Sequence, residues 1–385
     1  VWTDFLGACM SIKKSTYLFS FLLSVGLISL LTYQWAHEAF DREKVDYQLY
    51  SAEVVAQELA HYEKSKSTKL ITIPTGIFIE SFFFENPVVF NITGIIWQKW
   101  SLDLPASLEP GFVLPEKIET ADTYTEELIY EETLDGGEKL YGWYFEAHIR
   151  QSMDYTEFPF DHKKIELRLL PKQWQSNAVL VPDFDSYLKK NLLADSFGID
   201  ERIILDGYDL TDTYFDYLRQ PYDTNFGFPN YVGTEEFPEL VFNIHLQRSV
   251  ENAFIIYLFP IIIVLLLLFG TMLTVTSDAQ KRERMDFNIS MIIASCSALF
   301  FILVLAHVEL RDRFITSPIV YIEYFYLLSY GAIFYVAANS YMFCEAGSGV
   351  IGKLLAFEDN LLAKAAFWPS LLVIANLFTY AAIFD

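Results

Sequence analysis

Cysteine is scarce in this chain: three among 385 residues, at Cys9, Cys296 and Cys344. None falls between residues 38 and 250, which excludes a disulfide framework or a thiolate metal site in that stretch. Positive charge is scarce there too. The stretch carries 38 Asp and Glu against 18 Lys and Arg, a net of −20 within a chain total of −23. Such a surface disfavours nucleic acid and concentrates cations. Gly and Pro are missing from residues 37–67, so no turn signal interrupts that segment. His61, His162, His245 and His307 form no Ser/His/Asp or metal-ligand spacing, and no enzyme is expected. Internal repeats and low-complexity tracts are absent as well.

What is abundant is apolar: 53% of residues are hydrophobic and 17% aromatic. Five runs, at residues 15–35, 252–275, 285–308, 318–343 and 362–384, approach or exceed the ~20 residues that cross a bilayer. The first follows Lys13 and Lys14, as a signal peptide would. Its length, its interface-type ending in Tyr33, Gln34 and Trp35, and the lack of a small-residue cleavage site favour a retained anchor. The two lysines orient residues 1–14 to the cytoplasm, and Lys281, Arg282 and Arg284 fall on the same side after the second run. The acidic segment then lies outside.

Residues 36–67 read as one long helix, with apolar spacing at Val45, Leu49, Ala52, Val55, Ala56 and Leu59. Its length would be roughly 45 Å at 1.5 Å per residue. From residue 68 to 250 the character changes to strands, expected at 70–73, 76–84, 88–97, 141–153, 164–170, 202–210 and 239–248, rich in β-branched and aromatic residues. Turn residues separate them, as at Asn86-Pro87 and Asp135-Gly136-Gly137, and no helical crossover intervenes. This pattern predicts an antiparallel β-sandwich, with a loop or short helix over 189–200.

The run at 285–308 differs from the others. Steps of four and three place Asp286, Ser290, Ile293, Ser297, Phe300, Val304 and His307 on one helical face. A carboxylate and two hydroxyls on a spanning helix require water or protein beside them. Two readings stay open: the lining of a pore, or a buried polar seam between helices. Asp286 has a further alternative as the cap of the helix N-terminus. Two acidic groups, Asp206, Asp209, Asp212 and Asp216, then Glu235, Glu236 and Glu239, offer hard oxygen donors suited to Ca²⁺ modulation. Neither group matches an EF-hand loop, a solvated acidic face is the favoured reading of both, and no other cofactor is indicated.

A strand-rich domain followed directly by four spans, the second of them polar-striped, resembles the pentameric ligand-gated ion channels. Phe158-Pro159-Phe160-Asp161, after Met153-Asp154, is similar to that family's signature loop. Its flanking cysteines are absent, which matches the prokaryotic branch of the Cys-loop receptor superfamily. Thr75–Ile79 and Gly94–Trp100 resemble its first strands, Pro260 its first-channel-helix proline, and Pro318 its outer-loop proline. The likeness covers residues 69–385, and the helix and anchor before it depart from the family plan.

The resemblance implies an immunoglobulin-like periplasmic sandwich, a four-helix channel domain over 251–385 and a homopentamer in a bacterial inner membrane. Glu283 would flank the inner mouth of the pore, and Asp286, Ser290, Ile293, Ser297, Phe300 and Val304 would form successive rings for permeant cations. Glu85, Phe158, Pro159, Asp161, Arg248, Arg311, Arg313 and Pro318 would couple sandwich to pore, with Asp161 and Arg248 as a pair. Trp97, Trp174, Tyr222, Phe226, Phe228 and Tyr231 would line a pocket for a small ligand, with protons or divalent ions as alternative stimuli. The competing function is a non-conducting membrane receptor that signals through its N-terminal anchor.

Overall fold

The computed structural model of the chain describes residues 2–40, 48–66, 69–120, 122–189, 196–205, 207–228, 236–284, 288–314, 318–345 and 357–384. The chain divides into a sheet unit, residues 43–153 and 162–248, and a helical unit formed by residues 1–42, 154–161 and 249–385. β-Sheets thus occupy its N-terminal half. Among the described residues five helices are long and apolar enough to cross a membrane: Lys13–His37, Val250–Leu273, Ile289–Arg313, Glu323–Cys344 and Leu361–Ala382.

The sheet unit opens with α2 (Ala52–Lys66), since α1 (Trp2–Phe40) belongs to the helical unit. The single long helix expected over 36–67 is therefore interrupted. Leu49 is buried, and its N–H donates to Phe215 O at 2.8 Å, a bridge that helical backbone cannot make. Ser51 then caps α2 by accepting from Val54 N–H at 3.4 Å. Apolar spacing alone missed this break because Leu49 points into the sheet core rather than along a helix face.

Among the described residues nine strands follow: β1 (Ile71–Asn86), β2 (Val89–Trp100), β3 (Phe112–Val113), β4 (Tyr124–Thr133), β5 (Lys139–Arg150), β6 (His162–Pro171), β7 (Ala178–Pro182), β8 (Tyr208–Arg219) and β9 (Pro238–Arg248). They form two sheets, ordered β4-β5-β2-β1-β7 and β3-β6-β9-β8. One buried cluster draws Ile77, Phe90 and Phe145 from the first sheet and Leu167, Phe215 and Phe242 from the second. Strand β2 alternates strictly inward and outward over Thr93–Trp100, as a half-buried strand must.

Four strand expectations are corrected. The runs at 70–73 and 76–84 are one strand, β1, because Thr75 and Gly76 keep the pairing with Gln98 and Trp97. Pairing is not wholly antiparallel, since β1 runs parallel to β7. The strand expected at 202–210 begins instead at Tyr208 and ends at Arg219, where Asp and Thr alternate with Tyr and Phe. β4, rich in Glu, carried no apolar alternation to announce it.

The helical unit holds α1, α3 (Val250–Ala253), α4 (Phe259–Leu273), α5 (Ala279–Arg284), α6 (Ile289–Arg313), α7 (Glu323–Cys344) and α8 (Leu361–Phe384). A π turn, Phe254–Leu258, joins α3 to α4 just ahead of Pro260, which has no N–H to give the ladder. α1 packs along α8: Ser20 Oγ donates to Ala365 O at 2.5 Å, and Asn376 Nδ2 to Leu27 O at 3.2 Å. Residues 154–161 connect β5 and β6 in sequence yet pack within the helical unit.

Candidate functional site

Helix α6 starts where Asn288, in extended backbone, accepts from Ser290 N–H at 2.9 Å. Asn288 thus takes the capping role considered for Asp286, which lies outside the described residues. One side of α6 is buried through Ile292, Cys296, Leu299, Leu303 and Leu310. Ser290, Ile293, Ser297 and Phe300 lie off that side and are exposed, and Val304 is half-buried. Ser290 and Ser297 are therefore not buried against another helix of the same chain, whereas Phe300 and His307, farther along the stripe, meet Tyr330 of α7. Ser297 Oγ donates to Ile293 O at 2.8 Å, so its hydroxyl is satisfied by its own helix. Glu283 is exposed in α5, beside Lys281, Arg282 and Arg284.

α6 runs on to Arg313 rather than stopping near 308, which puts Arg311 and Arg313 on the helix instead of in a loop. Arg311 donates to Pro318 O at 3.0 Å and to Glu323 Oε2 at 3.2 Å. Arg313 stands 3.5 Å from Glu309 and 5.8 Å from the Tyr257 ring. Glu323, buried at the start of α7, also accepts from Val320 N–H at 2.9 Å and lies 3.3 Å from His307 Nε2. His307 Nδ1 faces Tyr330 OH at 3.1 Å, and its ring stacks on Tyr326. A buried carboxylate with this many partners needs no metal to be stable. The signal in the sequence was an acid opening an apolar run.

The Phe158-Pro159-Phe160-Asp161 segment, with a cis Phe158–Pro159 bond, is buried at Phe158, Phe160 and Asp161. Phe158 packs 4.7 Å from Phe314 and 5.3 Å from Tyr257, ring centre to centre. Thr156 O and Phe158 O accept from the N–H groups of Tyr321 and Ile322, at 2.7 and 3.3 Å. Loop carbonyls thereby pair with donors at the entrance to α7 that its own turns leave unmatched. In the sheet unit, Glu85 Oε2 stands 3.0 Å from His148 Nδ1, and Arg248 lies 4.4 Å over the Tyr208 ring, donating to its hydroxyl.

Four of the six aromatic pocket candidates converge. Trp174 packs edge-on against Phe226 at 4.9 Å and Phe228 at 6.1 Å, and Tyr222 lies 5.5 Å from Phe226. Phe226 and Phe228 are exposed. Tyr231 lies outside the described residues. Trp97 is elsewhere: its ring lies across Gly76, where any Cβ would meet it at 2.1 Å. Its Nε1–H donates to buried Asp183 at 2.8 Å, and Lys99 neutralises the same carboxylate at 2.8 Å. With Phe78, Tyr187 and Phe197 it borders a cavity of about 640 Å³ that carries Lys189, Asp200, Glu201 and Arg202.

Beneath the aromatic group sits an ion network that sequence reasoning missed. Arg168 bonds Glu116 and Glu239, both at 2.5 Å, while Tyr222 OH donates to Glu239 at 2.7 Å and accepts from Arg168 at 2.8 Å. Burial pushes the Glu116 carboxyl above its ordinary range despite Arg168. Burial opposes the Arg168 charge, but the two carboxylates hold the guanidinium more basic than usual. Burial, with the bond to Glu239, takes Tyr222 up to about 12.

Glu239, one of the metal candidates, is thus committed to Arg168. Asp209, Asp212 and Asp216 are strung along β8, and Glu236 is exposed. Asp206 and Glu235 lie outside the described residues. Among the described residues, no three His, Cys, Asp or Glu side chains group closely enough to hold a metal ion. No protein-family model matches the chain, and no curated protein is significantly similar to it.

Proposed function

We propose that the chain is a subunit of a homopentameric, cation-conducting gated channel. In this reading the two sheets around one core are a periplasmic, immunoglobulin-like sandwich that senses the stimulus. The α3–α4 span, α6, α7 and α8 are the four helices of each subunit's channel domain, and α1 is an added span in a bacterial inner membrane. The observation that carries the reading is the division of α6 into a buried apolar side and an exposed stripe bearing Ser290, Ile293 and Ser297. Five such stripes around an axis would give rings of hydroxyls interrupted by an apolar constriction at Ile293, which closes a narrow pore by dewetting. Asp286 adds a carboxylate ring at the inner end, and the acidic sheet unit enriches cations nearby. The convergence of Trp174, Tyr222, Phe226 and Phe228 supports a ligand with a ring or a positive charge.

Purified protein in liposomes should carry K⁺ or Na⁺ under some condition of pH, Ca²⁺ or small-molecule addition. Ile293→Ser should raise the resting leak, and Asp286→Lys should cut cation flux or reverse charge preference. A variant pair that leaves both leak and selectivity unchanged would remove α6 from the pore. The packing of α1 against α8 keeps one second reading in play: a non-conducting receptor that transmits through its N-terminal helix. Stimulus-dependent changes in the protein with no flux under any condition would favour it.

A further inference from the structure

In the helical unit, four segments meet at one phenol. Trp35 of α1 donates its Nε1–H to Tyr321 OH at 2.7 Å. Tyr321 OH lies 2.6 Å from Thr379 Oγ1 on α8, and Thr379 Oγ1 bonds Ala375 O at 2.9 Å. An indole N–H only donates and a carbonyl only accepts, so the proton order is fixed from both ends. Trp35 gives to Tyr321, Tyr321 gives to Thr379, and Thr379 gives to the α8 backbone. Tyr321 is almost fully buried, and its own N–H is the one that pairs with Thr156 O. The Trp35 ring also touches both neighbours of this chain, 6.2 Å from Phe160 and 6.0 Å edge-on from Phe325. Phe160 in turn packs 6.0 Å from Tyr321.

We propose that Trp35 is a positioning residue: through Tyr321 it fixes the 154–161 loop against the start of α7, and α1 thereby sets the resting balance of the gate. The gating clause rests on the channel reading; the positioning clause does not. The rest of α1 fits this role. Leu18, Phe19, Phe21 and Leu22 are exposed apolar side chains suited to lipid, whereas Trp35 spends its one polar atom on Tyr321, in the turn that leads into α7. An anchor that only tethered the chain would not need Trp35 wired to Tyr321 and, through it, to α8.

The test uses full-length protein in nanodiscs and measures amide hydrogen exchange in wild type, Trp35→Phe and Trp35→Ala. Trp35→Phe keeps the ring and deletes the donor. It should speed exchange of the Tyr321 and Ile322 amides about fivefold, the worth of one neutral hydrogen bond. Trp35→Ala should speed it further and extend the effect to residues 154–161, while β2 and β9 stay protected. Unchanged exchange at 154–161 and 321–322 in both variants would overturn the positioning role. Trp35→Phe combined with Tyr321→Phe should add nothing to Tyr321→Phe alone if the two act as one chain; full additivity would count against it. Resting K⁺ efflux from liposomes then reads the gate. A changed efflux in Trp35→Phe supports the gating clause, and efflux equal to wild type alongside altered exchange overturns it. Wild-type protein that passes no cation would defeat the channel reading instead, with the positioning role judged on exchange alone.

Discussion

The two units use similar apolar side chains in opposite ways. In the sheet unit β9 is buried along nine consecutive residues, and Phe90, Phe145, Phe215 and Phe242 are fully enclosed by the unit's own strands. In the helical unit Phe301, Leu305 and Phe334 are 65%, 72% and 75% exposed. Only 11% of the apolar window in Lys13–His37 is buried, rising to 44% in Leu361–Ala382. A monomeric soluble protein rarely leaves contiguous apolar surface on this scale. The sheet unit encloses an apolar core, whereas the helical unit leaves apolar surface exposed on helices long enough to cross a membrane. Polar groups follow the same rule. The sheet unit buries Glu239 against Arg168 and Asp183 against Lys99, and the helical unit buries Glu323 with Arg311, His307 and a backbone N–H as partners.

That contrast breaks or sharpens by mutation. The largest effect is expected at Arg168. Replacing it by Met leaves Glu116 and Glu239 facing each other without a cation and should cost about 3–5 kcal/mol in denaturant unfolding. A loss under 1 kcal/mol would mean that the network is solvated rather than structural. Next comes a matched pair. Phe242→Ala in the sheet core should cost about 3–5 kcal/mol. Phe301→Ala on α6 should stay within about 0.5 kcal/mol in a detergent-solubilised single chain. Equal losses would erase the distinction between the units, and a Phe301 loss that appears only in the assembled protein would locate a subunit contact.

Tyr222→Phe should cost less, about 1.5–3 kcal/mol, since it removes one hydroxyl from two charged partners and leaves the ring in place. Its measurement is the unfolding midpoint together with accessibility of Trp174 to a fluorescence quencher, which should rise if Tyr222 tethers the aromatic group. The smallest effect concerns pH. Glu116 has a folded-state pKa above its ordinary 4.5, because burial outweighs Arg168. A carboxyl with a raised folded pKa stabilises while protonated, so its contribution is present below about 4.5 and is lost as pH climbs through the folded value. Glu116→Gln should flatten that part of the stability–pH profile. A slope unchanged in the variant would assign it to another group, Asp216 being the nearest in kind because burial raises it too.

The long apolar helices were legible within a few residues because hydrophobic length is a local property. So was the α6 stripe, because helical periodicity needs only the sequence spacing. The cap was harder. Asp286 and Asn288 both suit a helix N-terminus, and only the backbone turn at Asn288 assigns the role. The aromatic candidates illustrate the limit of residue type. Trp174, Tyr222, Phe226 and Phe228 converge, while Trp97 is held apart by Gly76 beneath its ring and Asp183 beside its nitrogen.

What the order of residues settled was everything governed by short-range physics: five apolar spans, a strand-rich acidic segment, a striped helix and an aromatic, proline-marked loop. Tertiary packing chose among partners that no periodicity encodes. Arg168 finds carboxylates 52 and 71 residues away, Leu49 leaves a helical pattern to pair with Phe215, and Trp35 meets Tyr321 across 286 residues. The physical reason is common to all three. A buried polar group must find a partner wherever the folded chain supplies one, and sequence spacing carries no record of that distance.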